Sequence, residues 1–344
     1  MIKVGIVGAS GYGGGELLRW FANHPEAKVV AATSKTYAGE PIGKAFGSLA
    51  HSDLTLSDDD LSSVAGCDVV FLGASDDAAM CMAGPLLKAG AKVIDLSASF
   101  RFRECDEYAR WYKSEHKAAT LNAEAIYGLP ELHREEIKSA NLIGNPGCYV
   151  TASILALAPA AKAGLLDLNS IIINGISGVS GAGRSKFCLD YHFSEMNESA
   201  WAYKVGGTHR HTGEIEQELK ALAGEEFKLT FTPHIVPMTR GVLATCYGSL
   251  KSACAAEEVK EIYKSFYKAE PFVQVLDGLP ITKHTVGSNH CHIGLAVDER
   301  TNRLIVVSAI DNLGKGMAGQ AIQNMNLMFG LPETTGLQAV ALWP

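Results

Sequence analysis

The chain has 344 residues, 47% hydrophobic and 19% charged, with 37 acidic against 30 basic side chains and a net charge of −7. That length accommodates two domains with separate cores, and the acidic balance excludes a protein that coats nucleic acid while still allowing local cations in a pocket. Eight cysteines without a C-x-x-C pair suit free thiols rather than a disulfide framework; with no signal-peptide pattern and no apolar run able to span a bilayer, a soluble cytoplasmic protein is expected.

The first part of the chain alternates strand and helix patterns. Lys3 to Val7 reads as a buried strand, Gly13 to Asn23 as a helix and Lys28 to Thr33 as a second strand. Asp68 to Leu72, Ala91 to Leu96 and Asn141 to Gly144 read as further short strands, with a helix over Asp77 to Lys88. This alternation implies right-handed crossovers and a mainly parallel sheet. Tyr149 to Lys162 reads as a long helix, after which the texture changes. Ser170 to Ile176, Lys228 to Val236, Val242 to Leu250, Phe272 to Leu276, Ile293 to Asp298 and Leu304 to Ser308 read as strands. Helices over Gly213 to Leu222 and Glu257 to Lys268 interrupt them, and a last helix runs from Gly316 to Met328. The second part is therefore expected to be an α+β domain with a mixed sheet.

Between the first strand and first helix lies Gly8-Ala9-Ser10-Gly11-Tyr12-Gly13-Gly14-Gly15. Glycines at 8, 11 and 14 form a variant of the dinucleotide fingerprint, in which the backbone approaches a pyrophosphate at a helix N-terminus. A binder of the unphosphorylated dinucleotide usually carries a carboxylate at the end of the second strand for the ribose 2′-OH. Here that strand runs into Thr33-Ser34-Lys35, a hydroxyl and a cation suited to a 2′-phosphate, so NADP is the expected cofactor. The competing reading leaves Lys35 as a solvated surface residue.

Asn145-Pro146-Gly147-Cys148-Tyr149 places a cysteine at the start of the long helix after a sharp turn. Unpaired N–H groups and the helix dipole lower a thiol pKa there, and the thiolate is the reactive form; the competing reading is a small buried hydrophobe. Thr208-His209-Arg210-His211-Thr212-Gly213-Glu214 offers histidines for acid/base work and an arginine for an anion. A metal site is the rival, but no third ligand stands at characteristic spacing there or near His290-Cys291-His292. Ser97, Ser99 and Arg101 follow a strand's C-terminal end, where open α/β sheets bind ligands, and Arg184 ends a glycine-rich loop; both are candidate anion sites.

Taken together, Gly8 to Tyr12, Asp95 to Arg101, Tyr127-Gly128-Leu129-Pro130-Glu131, Gly144 to Tyr149, Ser177 to Arg184, His209 to Ile215 and Ala309 to Gly316 resemble, in order and across essentially the whole chain, the N-acetyl-gamma-glutamyl-phosphate reductase family of arginine biosynthesis, itself similar to the aspartate-semialdehyde dehydrogenases. The resemblance implies an α/β architecture: a Rossmann-type NADP-binding domain over residues 1–147 plus 313–344, and an α+β catalytic and oligomerisation domain over 148–312. It implies NADPH-dependent reduction of an acyl phosphate through a thioester on Cys148. His211 is preferred over His209 as acid/base, because it directly precedes the helix in a similar layout. Gly8, Ser10, Gly11, Tyr12, Gly13, Gly14, Ser34, Lys35, Ser177, Gly178, Asn312, Lys315 and Gly316 are the expected cofactor residues. Ser97, Ser99, Arg101, Asn145, Arg184, His209 and Arg210 are the expected substrate residues, and no metal is expected. The family usually has Pro where this chain has Gly213, which loosens a helix start without touching the chemistry. A homodimer or homotetramer is implied, with neither nucleic acid nor membrane as partner. The rivals are a reductase of aspartyl phosphate or of a carrier-bound aminoadipyl phosphate, and a non-catalytic NADP sensor. The sensor predicts a missing nucleophile or base, and neither is missing.

Overall fold

The computed structural model describes residues 1–186 and 188–343. The chain divides into two compact units. The first comprises Met1–Pro146, Gly183–Ser185 and Met317–Gln338; the second comprises Gly147–Ala182, Lys186–Gly316 and the residues from Ala339 on.

The first unit is built on a sheet of β1 (Ile2–Val7), β2 (Ala27–Ala32), β3 (Val69–Leu72), β4 (Lys92–Asp95), β5 (Ile126–Tyr127) and β6 (Leu142–Gly144). These pair in the order β2-β1-β3-β4-β6-β5, every pair parallel. Parallel strands joined by helical crossovers are covered on both faces, which explains why Val69, Val70, Phe71 and Leu72 are all fully buried. Each such side chain contributes roughly 1.5–3 kcal/mol by leaving water. The chain leaves β1 toward β2 and later returns on its other side to β3, so the crevice where an open sheet takes ligands lies beyond β1 and β3.

Sequence patterning misses β5, the single turn Ile42–Ala45 and three longer helices in this unit, Cys105–Tyr112, Ala119–Glu124 and Pro130–Ser139. They are short and mostly polar, so their apolar periodicity is thin. The signal for the last was Pro130, which occupies its first turn, where a missing N–H costs nothing. The helix Gly319–Met328 packs against the Pro130–Ser139 helix and is buried along its whole length. Its asparagines tie it to the surrounding chain: Asn324 Nδ2 donates to Gly128 O and Asn145 Oδ1, and Asn326 Nδ2 to Glu333 O and Thr335 O.

The second unit carries β7 (Leu166–Gly178), β8 (Trp201–Ala202), β9 (Thr230–Val236), β10 (Val242–Leu250), β11 (Val273–Val275), β12 (Cys291–Asp298) and β13 (Arg303–Ile310). They form a sheet ordered β11-β12-β13-β10-β7-β9-β8. The sheet is mixed: β11 with β12 and β7 with β9 are parallel, the remaining neighbours antiparallel. The helix Cys148–Lys162 lies against it and is buried from Tyr149 to Ala161, which an apolar all-round sequence requires. Pro159 sits inside this helix and has no N–H for Leu155 O; Tyr267 Oη donates to that carbonyl instead, and Tyr263 Oη donates to Ala156 O at 2.7 Å. Among the described residues the other long helices of this unit, His211–Ala223 and Ala256–Phe266, pack against the Cys148–Lys162 helix, and the opposite face of the sheet carries no long helix. Along β10 the buried Val242, Ala244, Cys246, Gly248 and Leu250 alternate with half-buried Leu243, Thr245, Tyr247 and Ser249.

These units differ at their edges from the expected domains. Gly147 and the segment 313–316 belong to the second unit, and Gly183–Ser185 to the first. The C-terminal residues return to the second unit, where Leu342 N–H donates to Val286 O at 2.9 Å.

Candidate active site

The nucleophile candidate opens its helix as the sequence suggests. Gly147 is the extended N-cap residue, Cys148 is the first helical residue, and the first helical hydrogen bond runs from Thr151 N–H to Gly147 O at 2.9 Å. The N–H groups of Cys148, Tyr149 and Val150 precede that bond and are donors of a helix N-terminus, with no acidic residue in the first turn to compete for them. Cys148 is half-buried.

A second helix, His211–Ala223, delivers the imidazole. A β-carbon built on Gly147 would stand 2.5 Å from His211 Nε2, so the ring packs directly on the backbone one residue before the sulfur. The same helix anchors that backbone three residues further on. Glu214, fully buried, accepts the Gly147 N–H on Oε1 at 3.1 Å. His211 and Glu214 share a helix face by their spacing. The motif therefore contained the signal for Glu214, although sequence reading gave it no role.

His209 stands behind His211. Its Nδ1 accepts the His211 N–H at 3.2 Å, and the two rings meet edge-on with centroids 4.7 Å apart. Burial, with Lys204 and Arg210 adding positive charge, lowers the His209 pKa to about 3. Its ring is neutral at physiological pH, and packing against Tyr149, Tyr203 and Phe231 encloses it. A buried neutral ring is a poor anion ligand, against the expectation that His209 binds substrate. Arg210 is exposed at the N-cap of the His211 helix.

From the other side Gly316 approaches: a β-carbon there would lie 2.8 Å from Cys148 Cβ. Gly316 belongs to a π-helical turn, Gly314–Ala318, held by Asp311. Asp311 Oδ1 accepts N–H bonds from Leu313 and Gly314, and its carboxylate pairs with Arg240 Nε at 3.0 Å and accepts the Gly287 N–H. Asn312 is committed within this unit, accepting Gly241 N–H at 2.8 Å and donating to Ser180 Oγ at 2.9 Å. Lys315 is fully buried, and burial together with its charge lowers the pKa of His290. Ser177 is buried with Oγ on Gly178 O, and Gly178 fits tightly against the backbone of Met238 to Arg240. These five expected cofactor residues, Ser177, Gly178, Asn312, Lys315 and Gly316, thus sit in the second unit.

In the first unit the glycine-rich turn fits a pyrophosphate cradle. Gly8 has φ +73°, and a β-carbon there would meet Gly73 O at 2.3 Å. Gly14 lies equally close to the Ala9 backbone, and Gly13 to Met317. The helix Tyr12–Phe21 starts at Gly11 with no side-chain cap, leaving its first N–H groups to an anion. Ser10 Oγ and Ser34 Oγ are 2.7 Å apart at the end of β2, and Lys35 is exposed beside them. The chain also brings Asp59 to this point, where Thr33 Oγ1 donates to it; the sequence around Ser34 contains no carboxylate.

Of the expected substrate residues, Ser97, Ser99, Arg101, Asn145 and Arg184 belong to the first unit and His209 and Arg210 to the second. Arg184 lies at the glycine-rich turn, where its Nη1 donates to Ser10 O at 3.0 Å. Ser97 and Ser99 form a tight turn: Ser97 Oγ donates to Asp95 Oδ2 and meets Ser99 Oγ, and Ser99 Oγ donates to Asp76 O. Burial raises Asp95 to about 6. Arg101 Nη2 donates to Leu96 O at 3.1 Å, and Asn145 is buried between Met317 O and Asn324. Asn145 thus serves packing of the Gly319–Met328 helix. Among the described residues no group of three or more His, Cys, Asp or Glu side chains is arranged to hold a metal ion, and no helix is long and apolar enough to cross a membrane.

Two family profiles cover the chain, the semialdehyde dehydrogenase NAD binding domain over residues 3–140 and the semialdehyde dehydrogenase dimerisation domain over residues 148–312. The N-acetyl-gamma-glutamyl-phosphate reductase of Symbiobacterium thermophilum is 52% identical over 98% of this chain and 97% of its own. That of Pelotomaculum thermopropionicum is 49% identical over 100% of this chain and 99% of its own. Among solved structures, aspartate semialdehyde dehydrogenase II of Vibrio cholerae, complexed with ASA, superposes with a TM-score of 0.73 at 16% identity, covering 96% of this chain and 98% of that one. Aspartate semialdehyde dehydrogenase of Candida albicans, solved with NADP, superposes with a TM-score of 0.70 at 17% identity over 96% and 98%. These superpositions establish a shared fold.

Proposed function

The chain belongs to the N-acetyl-gamma-glutamyl-phosphate reductases of the semialdehyde dehydrogenase family, and from that membership we propose which residues carry the reaction and which cofactor serves it. The activity is the NAD(P)-dependent reduction of N-acetyl-gamma-glutamyl phosphate to the semialdehyde with release of phosphate, a step of arginine biosynthesis.

The observation that carries the assignment is the His211 ring packed on Gly147, one residue before a cysteine at a helix start. His211 takes the proton of the Cys148 thiol. The thiolate attacks the acyl carbon, a C–S bond forms, and the C–O bond to phosphate breaks with its electron pair leaving on phosphate. The thioester left on Cys148 is a better electrophile than a carboxylate. When bound, the reduced nicotinamide supplies the hydride that this carbon accepts. The N–H groups of Cys148, Tyr149 and Val150 hold the negative oxygen as it forms. His211 lends its proton to that oxygen and recovers it as the C–S bond breaks, releasing the aldehyde and the thiolate. Glu214 keeps the Gly147 backbone and the His211 helix in register, and Arg101 is the cation proposed for an anionic end of the substrate, while the Ser97 and Ser99 hydroxyls, spent on Asp95 and Asp76, shape the turn before it.

The Ser10–Ser34 hydroxyl pair with Lys35 favours NADPH over NADH. The uncovered sheet face of the second unit is the surface for a second copy of the chain, giving a homodimer or homotetramer in the cytoplasm. A concavity of about 320 Å³ on that face, lined by Asn174, Ile176, His234, Leu243 and Thr245, would receive partner side chains. The test is phosphate-dependent reduction of NADP⁺ with N-acetylglutamate semialdehyde, aspartate semialdehyde and aminoadipate semialdehyde. Turnover confined to the first supports the assignment; a faster reaction with either of the others overturns it.

A further inference from the structure

The segment Gly183–Ser185 groups with the first unit, although the chain on both sides belongs to the second. Gly183 has φ +86°, a turn that a side chain would strain, and it puts Arg184 against the glycine-rich loop. There the guanidinium donates from Nη1 to Ser10 O at 3.0 Å and lies 4.6 Å above the Phe46 ring centroid and 5.8 Å from that of Tyr37. Among the described residues no carboxylate pairs with it, and one hydrogen bond leaves most of its five N–H donors available. A fixed, half-buried guanidinium without a counter-ion is a site prepared for an anion.

The neighbouring groups indicate which anion. Ser10, whose carbonyl holds Arg184, meets Ser34 hydroxyl to hydroxyl at 2.7 Å. Ser34 Oγ is itself fixed by the N–H groups of Thr36 and Tyr37, both at 3.2 Å. Ser34 follows β2, where this fold carries its ribose-recognising residue. Asp59, bonded to Thr33 Oγ1, puts a carboxylate one residue away. A doubly charged phosphate seated on the two hydroxyls needs cations beside it, and the exposed Lys35 alone is screened by solvent.

We propose that Arg184 is a second, dominant cation for the 2′-phosphate of the dinucleotide, a specificity-determining residue carried by a loop outside the β1–helix–β2 fingerprint. This rests on the NADP reading above. It also reassigns Arg184 from substrate to cofactor.

The test is calorimetric binding of NADP⁺, NAD⁺, 2′,5′-ADP and 5′-AMP to the wild type, Arg184→Gln, Arg184→Lys and Lys35→Gln. Arg184→Gln is expected to weaken NADP⁺ and 2′,5′-ADP by about tenfold or more, the size of a charge-assisted hydrogen bond. NAD⁺ and 5′-AMP should bind as before, and Arg184→Lys should recover part of the loss. The loss from Lys35→Gln should be smaller. Equal weakening of all four ligands would make Arg184 a stacking or structural residue and overturn the proposal, as would unchanged binding. A wild type that binds 2′,5′-ADP no better than 5′-AMP would instead remove the NADP reading, and the proposal with it.

Discussion

His211 and Gly147 are in contact: the imidazole Nε2 occupies the space that a β-carbon on residue 147 would need, 2.5 Å from its ideal position. Glycine at 147 is therefore required by the ring, beyond any need of the turn, whose φ of −71° suits other residues. Gly147→Ala should leave the fold intact and push His211 away from the sulfur. A fall in kcat on the order of a hundredfold or more, the lower range for losing a general acid/base, is expected from steady-state kinetics. Unchanged kcat would separate His211 from the chemistry.

The two histidines should behave differently. His211→Asn should lower kcat strongly, on the order of a hundred- to ten-thousand-fold, with less change in KM. His209→Asn should cost less and leave the pH dependence of kcat in place, because His209 is neutral throughout the working range. Rate profiles across pH for both variants decide; loss of the pH dependence in His209→Asn alone would exchange their roles.

Glu214→Gln keeps a carbonyl acceptor for the Gly147 N–H, whereas Glu214→Ala leaves that buried donor without it. Removing the partner of a buried donor costs about 1–3 kcal/mol. Urea unfolding should show Glu214→Ala destabilised by that order and Glu214→Gln by less. Equal loss in both would shift the role from hydrogen bonding to charge.

Much of this site was legible in the chain. The turn Asn145-Pro146-Gly147-Cys148, the strand–glycine–helix order at Gly8 to Gly14 and the His209–His211 pair are local features, and local geometry follows from residue type and spacing. What was not legible depends on long-range approach. Arg184 reaches Ser10 across 174 positions, Asp59 meets Thr33 through a bridge between Thr33 and Ser57, and Asn312 is spent on Ser180 and Gly241. No periodicity encodes such contacts. The polar helix Pro130–Ser139 escaped for a different reason: its partner, the Gly319–Met328 helix, comes from the far end of the chain.

Stability should respond to acid through His209. Burial holds its pKa at about 3 against 6.5 when free, so the unfolded chain binds the proton first as pH falls. Its contribution is complete above 6.5 and is lost progressively toward 3. Asp95 acts in the opposite sense: raised from 3.8 to about 6, it takes its proton first in the folded chain and offsets part of the loss. Unfolding free energies at neutral pH and near pH 5 should fall less in His209→Asn than in the wild type. Equal falls would place the acid sensitivity elsewhere.

Covalent capture on Cys148 is the step on which everything else depends. The direct measurement mixes enzyme with N-acetyl-gamma-glutamyl phosphate in the absence of cofactor, quenches in acid and examines the intact protein and its peptides by mass spectrometry. One N-acetylglutamyl group on the Cys148 peptide, with an equal amount of phosphate released and none of either in Cys148→Ser, is the expected result. An unmodified Cys148 in enzyme that turns over normally once cofactor is added, or an acyl group on another residue, would contradict the covalent mechanism.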